Sequence, residues 1–487
     1  MKEKSLKLNA ILNVIKTLMG LIFPLITFPY ASRILLPEGL GKVNFANSIV
    51  SYFAMIASLG IETYGVREAA KVRDDKILLS QFTKEIFTIN MISTVISYIL
   101  FAIAVFFIPK FVEYRTLLIV SGATILFSTL GINWLYSAVE DYAYITVRSI
   151  IFQFISLGLL FLFVKTKDDY IKYAAISVIS SVGSNILNFL HSRKYITIKT
   201  GLPIILKKHI KPILILFAMA IAVKIYTVLD TIMLGFMCDD FEVGVYTAAT
   251  KINKLVLTLV VAVITVFMPR LSYYARKDDK HDFWELTYKG FDLLFLMALP
   301  CTLGLSLLSE EVVLMFCGKE YSAAILPMKI MNPIIIIIGI STFVGINIFL
   351  SIGKELYKLY SVIIGAVINF ILNSILIPKY GSIGASIATV VAEFSVMVVQ
   401  LFLLMKFMSL KRIGKTFVQY SFYSMLMILP LIPCKIFISN IILRMTICCL
   451  CGIVLYFLIL LFSKNAILWS FFRKLKKRGA DENRQSK

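Results

Sequence analysis

The chain has 487 residues, of which 59% are hydrophobic and 16% are charged, and its mean hydropathy is +0.86. A soluble protein carries about a quarter charged residues, so this composition excludes an ordinary soluble enzyme. The net charge is +22. Because the basic residues lie in short loops between apolar stretches, we interpret the charge as a membrane-orientation signal and not as a nucleic-acid interface.

Apolar stretches recur from one end of the chain to the other. Each is long enough to cross a hydrocarbon core of about 30 Å, and because lipid offers no partner to backbone groups, we predict that all of them are helices. We expect an all-α integral membrane protein with about fourteen spans. In chain order these are 10–35, 43–64, 85–108, 116–139, 144–164, 171–191, 213–237, 244–269, 290–308, 323–350, 359–377, 382–405, 417–434 and 441–463.

The loops between these spans differ in charge. Those on the side of the N-terminus contain 33 Lys and Arg, and those on the opposite side contain 9. Basic residues concentrate in cytoplasmic loops. The asymmetry therefore predicts a multi-pass protein of a bacterial cytoplasmic membrane with both termini in the cytoplasm.

A weak internal repeat relates the two halves of the chain. Residues Gly41–Ile49 match Gly244–Ile252, and Tyr170–Ala175 match Tyr380–Ala385 more faintly. Two six-helix halves with the substrate between them are a recurrent transporter plan. We predict an N-terminal lobe at 1–200, a C-terminal lobe at 201–408, two additional spans at 409–465 and a basic cytoplasmic tail at 466–487.

Several basic residues lie within the predicted spans. Lys224 is near the middle of the seventh, where it either lines a cavity or is a snorkelling or paired structural residue. Lys251 and Lys254 share one face of the eighth. Lys16 lies a quarter of the way along the first, and Arg33 ends that span as a cavity residue or an interfacial anchor.

Two acidic residues also lie within spans. Asp230 is predicted at the same depth as Lys251 and Lys254, and we expect an ion pair with one of them. Glu393 is central in the twelfth span and either pairs with a basic residue or binds a coupling cation. The remaining excess of deep positive charge favours an anionic substrate group, and phosphate or pyrophosphate fits because Lys and Arg bind it well.

Other charges near span ends have simpler interpretations. Arg148, four residues into the fifth span, and Arg444, close to the outer surface, are both expected to be structural. No ATP-binding loop, hydrolase motif or metal-ligand spacing is present in the sequence. We therefore predict a protein that is not an enzyme and needs no cofactor or metal.

Six segments resemble Wzx-type oligosaccharide flippases, in the polysaccharide-biosynthesis branch of the multidrug/oligosaccharidyl-lipid/polysaccharide exporter superfamily. The resemblance runs through nearly the whole chain in the same order. The segments are Phe28–Leu35 (FPYASRIL), Gly39–Ser48 (GLGKVNFANS), Ser58–Glu68 (SLGIETYGVRE), Asn133–Tyr142 (NWLYSAVEDY), Asp230–Gly235 (DTIMLG) and Asn373–Ala385 (NSILIPKYGSIGA).

The resemblance implies two six-helix lobes around a central cavity, plus two extra helices. It implies transport of undecaprenyl-pyrophosphate-linked repeat units to the outer face for capsule, O-antigen or a related polymer, with membrane lipids, a polymerase and other assembly proteins as partners. In such a flippase a cationic cavity holds the pyrophosphate. That role is carried over to Lys224, Lys251, Lys254, Arg33 and Lys16.

Two alternatives come from other classes of protein. A drug or cation antiporter of the same fold should have a cavity richer in acid than in base, unlike this sequence. A membrane-embedded polysaccharide polymerase is opposed by the short outer loops, the longest of which runs over about 309–322.

The predicted topology can be tested directly. A reporter that is active only outside the membrane, fused after Lys487, should give no signal, because an even number of spans leaves both termini on the basic, cytoplasmic side. A strong signal from this fusion would mean that the number of spans is odd.

Overall fold

The computed structural model describes residues 6–197, 201, 203–465, 467 and 469. The chain divides into two compact units. Unit 1 comprises Met1–Thr247 with Asn373–Ser382, and unit 2 comprises Ala248–Leu372 with Ile383–Lys487. The predicted lobe boundary at 200/201 stays a prediction, and the predicted tail lies outside the described residues except for 467 and 469.

The helices of unit 1 are mostly long and apolar. They are α1 (Leu6–Ser58), α2 (Ile61–Val72), α3 (Lys76–Phe107), α4 (Pro109–Glu113), α5 (Arg115–Leu130), α6 (Asn133–Ala138), α7 (Tyr142–Phe163), α8 (Tyr170–Val178), α9 (Asn185–His191), α10 (Lys207–Met237) and the first residues of α11 (Asp240–Ile264).

Unit 2 contains the rest of α11 and the helices that follow it. These are α12 (Met268–Arg276), α13 (Lys280–Leu307), α14 (Ser309–Cys317), α15 (Ile325–Met331), α16 (Ile334–Thr342), α17 (Glu355–Leu404), α18 (Lys411–Ile428), α19 (Leu431–Phe437) and α20 (Ile441–Phe462). Residues 373–382 of α17 belong to unit 1.

Two helices are longer than one membrane crossing needs. The 53 residues of α1 would extend about 80 Å as a straight helix, against a hydrocarbon core of about 30 Å. This helix is interrupted at Leu36 (φ 59°, ψ 175°), just before Pro37. The 50 residues of α17 are interrupted at Gly381 (φ 53°, ψ −129°). The breaks fall between the predicted spans 1 and 2 and between the predicted spans 11 and 12.

The described residues contain ten helices long and apolar enough to cross a membrane, or eleven if the bent pair Lys319–Met331 and Ile334–Phe349 is one span. The prediction of an all-α, multi-pass membrane protein is confirmed. The count of fourteen spans stays a prediction.

Unit 1 has a buried polar cluster where the chain enters α10. The Glu85 carboxylate, 1% exposed, accepts a hydrogen bond from the Ile205 amide at 2.9 Å and lies 2.8 Å from Nε2 of His209. Nδ1 of His209 lies 2.8 Å from the Tyr64 hydroxyl, and Lys208 pairs with Glu85 at 2.9 Å. These bonds attach the segment before α10 to α2 and α3.

Unit 2 is built around an aromatic and aliphatic core. Phe291 and Phe343 are buried with ring centroids 5.0 Å apart, and Ile335 and Leu294 belong to the same cluster. From α20, the Tyr456 hydroxyl donates to the Leu296 carbonyl at 2.9 Å. The two predicted additional spans therefore pack on α13.

A buried ion cluster also holds the last helices of unit 2. Glu311 on α14 is fully buried, and its carboxylate lies 3.0 Å from Nε of Arg444 and 3.3 Å from Nζ of Lys435. Lys435 also donates to the Leu307 carbonyl at 2.7 Å. The structural role expected for Arg444 is confirmed.

We expect Glu311→Gln to destabilise the protein by about 3 kcal/mol, because it removes the fully buried carboxylate that pairs with the partly buried Arg444 and Lys435. The measurement is thermal unfolding of the purified protein in detergent. Glu310→Gln is the matched control. Its carboxylate is 44% exposed and 3.9 Å from Lys435, so its loss should cost less than about 1 kcal/mol. Equal melting temperatures for both variants would contradict the role assigned to Glu311.

Candidate functional site

The basic residues predicted for the site are divided between the two units. Unit 1 holds Lys16 and Arg33 on α1 and Lys224 on α10. Arg33 is exposed and Lys224 is half-buried. The side chain of Lys16 lies outside what the structure describes.

Unit 2 holds the other two predicted basic residues. Lys251 is half-buried and Lys254, one turn later on α11, is exposed. Their i, i+3 spacing places them on one face of the helix, as predicted. Glu393 is half-buried on α17 in the same unit. The role of these residues in substrate binding stays a prediction.

Asp230 on α10 is the most closely coordinated of the predicted residues. It is 7% exposed, and its two carboxylate oxygens accept separate hydrogen bonds. The Tyr246 hydroxyl on α11 donates to Oδ2 at 2.6 Å, and the Asn373 amide on α17 donates to Oδ1 at 2.6 Å. These two bonds join α10 to α11 and α17 within unit 1. The predicted pairing with Lys251 or Lys254 stays a prediction.

Close backbone contacts surround the start of α11 in unit 1. A Cβ atom on Gly244 would lie 2.0 Å from the carbonyl oxygen of Pro37, and one on Gly41 would lie 1.8 Å from that of Asp240. Only glycine allows backbones to approach so closely. Gly41 and Gly244 are the first residues of the two repeated segments, and the structure brings the starts of these segments together.

Two acidic side chains strengthen this contact. Asp240 accepts a hydrogen bond from the Tyr114 hydroxyl at 2.6 Å. The Glu242 carboxylate accepts one at 2.6 Å from the amide of Ser382, beside the break at Gly381. The start of α11 is therefore bonded to the residue that precedes α5 and to the bend of α17, all within unit 1.

Arg33 lies one turn before the break in α1. Leu36 has a left-handed φ, which is unfavourable for a residue with a side chain, and the Pro37–Gly244 contact lies directly after it. Pro24 and Pro29 precede Arg33 within the same helix. Arg33 therefore lies in the last turn of helix before the break at Leu36, and the contact between Pro37 and Gly244 fixes the backbone just after that break.

Sequence reasoning did not identify several of the buried polar side chains that bond to one another in the structure. Tyr246 and Asn373 lie in segments that the sequence analysis singled out, but nothing there identified them as partners of Asp230, and Glu85 with His209 lies outside every motif that we considered. Arg148 is 8% exposed and donates to the Ser184 carbonyl at 2.9 Å, which confirms its expected structural role. A buried polar residue whose partner lies over a hundred positions away leaves no local pattern.

Comparison with known proteins identifies the family. The profile of the family described as "Polysaccharide biosynthesis protein" matches residues 6–275, more than half of the chain. This chain belongs to the polysaccharide biosynthesis protein family. The profile of a second family, MatE, matches residues 215–375. The resemblance stated from the sequence is confirmed.

The chain is similar to several curated proteins. It is 23% identical over 396 residues to the "Putative O-antigen transporter" of Escherichia coli K12, covering 80% of this chain and 94% of that protein. It is 24% identical to the "Capsular polysaccharide biosynthesis protein CapF" of Staphylococcus aureus, covering 74% and 89%. It is 24% identical over 193 residues to the "Probable low-salt glycan biosynthesis flippase Agl15" of Haloferax volcanii, covering 38% of this chain and 39% of that protein.

Two solved structures show the fold of this family member. The inward closed conformation of the lipid II flippase MurJ aligns with a TM-score of 0.76 at 19% identity, covering 94% of this chain and all of the other. An inward-facing multidrug resistance transporter of the MATE family aligns with a TM-score of 0.63 at 15% identity, covering 84% and 99%. The fold is that of an all-α membrane transporter.

We expect Tyr246→Phe to destabilise the protein by about 1.5–3 kcal/mol, the usual contribution of a hydrogen bond to a charged group. The change removes only the hydroxyl that donates to Asp230. Thermal unfolding in detergent measures the effect. Tyr360→Phe is the control, because that tyrosine is 54% exposed on the surface of unit 2. A Tyr246→Phe protein as stable as the control would mean that Asp230 does not depend on this bond.

Proposed function

We propose that this protein is a flippase that moves lipid-linked oligosaccharides across a membrane for polysaccharide biosynthesis. One observation carries the proposal. A member of the polysaccharide biosynthesis family consists largely of apolar helices, and the sequence places several basic residues within the predicted spans. A charge within the hydrocarbon region costs several kcal/mol, so a basic residue there that helix packing does not use is a candidate for binding the cargo.

The names of the relatives support this class of substrate. They refer to an O-antigen transporter, a capsular polysaccharide biosynthesis protein and a glycan biosynthesis flippase. What these cargoes have in common is a polar glycan made on a lipid carrier. We assign undecaprenyl-pyrophosphate-linked repeat units as the cargo here, in the cytoplasmic membrane of a bacterium, with both termini in the cytoplasm.

The pyrophosphate is the part of such a cargo that lipid opposes most strongly. Lysine and arginine stabilise it through charge-assisted hydrogen bonds. In our proposal Lys224, Arg33 and Lys16 of unit 1 and Lys251 and Lys254 of unit 2 supply that charge. Asp230 keeps its hydrogen-bonded structural place, and Glu393 is the candidate for a coupling cation.

Alternating access fits the same residues. A site that faces each side of the membrane in turn needs contacts that close one side and can separate. In our proposal the glycine contact of Gly41 and Gly244 is such a closure on the predicted outer side. The polymerase that uses the delivered repeat unit would act on that same side, as a partner and not as part of this chain.

A drug or cation antiporter is the second candidate. The MatE match over residues 215–375 favours it. A cationic drug, however, requires acidic groups, and the deep charges of this chain are mainly basic. An assay with a lipid-linked oligosaccharide in vesicles separates the two, because an antiporter would leave its outer-face exposure unchanged.

We expect Lys224→Ala to abolish or greatly reduce polymer export at near-normal protein level, because a fixed positive charge lowers the cost of moving a pyrophosphate out of water. Lys224→Arg should retain partial function, since charge matters more than shape for a phosphate. The measurements are polymer export in cells and outer-face exposure of labelled lipid-linked oligosaccharide in vesicles.

The matched control is Lys329→Ala, at an exposed lysine on α15 of unit 2. It removes the same charge and should leave export unchanged. Full export by Lys224→Ala, with expression matched to wild type, would remove Lys224 from the site. Absence of oligosaccharide exposure by the wild-type protein would overturn the flippase assignment itself.

A further inference from the structure

A cavity of about 740 Å³ lies within unit 2, at the ends of its helices. Three turns form it. They are the turn between α12 and α13, the turn before α17 and the turn after α17. All three belong to the loops predicted to be cytoplasmic from their charge. The cavity is distinct from the predicted substrate residues, since none of them lines it.

Side-chain contacts join the helices and turns around the cavity. The hydroxyls of Ser272 and Ser351 lie 2.9 Å apart and join α12 to the turn before α17. Arg412, at the start of α18, donates to Glu285 on α13 at 2.6 and 3.4 Å and lies over the Tyr288 ring at 4.3 Å. These contacts hold the helices and turns that form the walls of the cavity.

The lining is basic. Arg276, Lys354 and Lys406 come from the three different turns and are all exposed. Within the described part of the chain, no carboxylate lies within ion-pair distance of these three side chains. The acidic residues of the lining have other partners.

Asp279 caps α13 by accepting from the amide of Asp282 at 3.1 Å. Asp278 lies 3.9 Å from Lys280. Neither carboxylate neutralises the three basic residues from the separate turns. The cavity thus presents a net positive charge to whatever enters it.

Apolar side chains lie beside this charge. Leu350 lines the cavity and is 41% exposed, and Met405, next to Lys406, is 61% exposed. Phe283 and Trp284 form an edge-to-face pair in the wall with ring centroids 4.8 Å apart. Tryptophan is typical of the membrane–water interface. The cavity therefore lies where the apolar surface of the spans meets the basic loops.

We propose that this cavity binds the phosphate head group of an anionic phospholipid from the cytoplasmic leaflet. Basic pockets between transmembrane helices on this side of a membrane take such head groups. The three basic side chains would contact the phosphate, and Leu350 and Met405 would contact the start of the acyl chains. This apolar border distinguishes a lipid from a soluble anion, which would gain nothing from it.

The test is lipid binding by the full-length protein in detergent, titrated with phosphatidylglycerol and measured by native mass spectrometry. Phosphatidylcholine is the neutral comparison. The triple variant Arg276→Gln, Lys354→Gln, Lys406→Gln should bind phosphatidylglycerol about a hundredfold more weakly than wild type, because each of the three basic residues near the surface contributes about fivefold. Lys354→Arg with Lys406→Arg should bind as wild type does.

The matched control is Arg193→Gln, Lys207→Gln, Lys211→Gln in unit 1, which removes the same charges from exposed positions on the same predicted face. It should bind like wild type. An equal loss of phosphatidylglycerol binding in both triple variants would mean that binding depends only on the net charge of the protein, and would contradict the proposed site. Binding of glycerol phosphate as tight as that of the lipid, or displacement of the lipid by a hexaglutamate peptide at equal concentration, would overturn the lipid assignment.

Discussion

The interior of a membrane protein offers little water to a polar side chain, and this constraint shapes the buried charges that the structure describes. Glu85, Arg148, Asp230 and Glu311 are each 8% exposed or less. Each bonds to groups far away in sequence, and so each fixes the position of one helix against another. Burial of an unpaired charge would cost several kcal/mol, so these bonds specify how the helices pack as well as contributing to stability.

The same constraint separates two kinds of charge. Asp230 and Glu311 are buried and bonded to side chains of other helices. Lys254 and Arg33 are exposed, and Lys224 and Lys251 are half-buried. A charged group meant for a cargo has to be reachable from water, whereas one meant for packing has to be sealed. The degree of exposure therefore agrees with assigning the acidic Asp230 to structure and the basic residues to transport.

The class of protein could be predicted from sequence because its causes are local. Apolar length predicts a membrane helix, and the 33 against 9 loop charges predict orientation. The breaks in α1 and α17 were also foreseeable as span boundaries, since Pro37 and Gly381 are there. The partners of Asp230 were not, because Asn373 lies 143 positions away. The pattern of apolar residues predicts which residues are buried, but it does not predict which polar residues form hydrogen bonds with each other.

The internal repeat shows how a weak sequence signal acquires a physical meaning. Gly41 and Gly244 looked like ordinary small residues at the starts of two related helices. In the structure each glycine lies against a backbone carbonyl shortly before the other segment, that of Asp240 for Gly41 and that of Pro37 for Gly244. The backbones touch directly, and the hydrogen bonds of Asp240 and Glu242 flank the contact. The two related helix starts, at Gly41 and Gly244, therefore pack directly against each other. In the proposed mechanism this contact closes one end of the transport pathway, as alternating access requires.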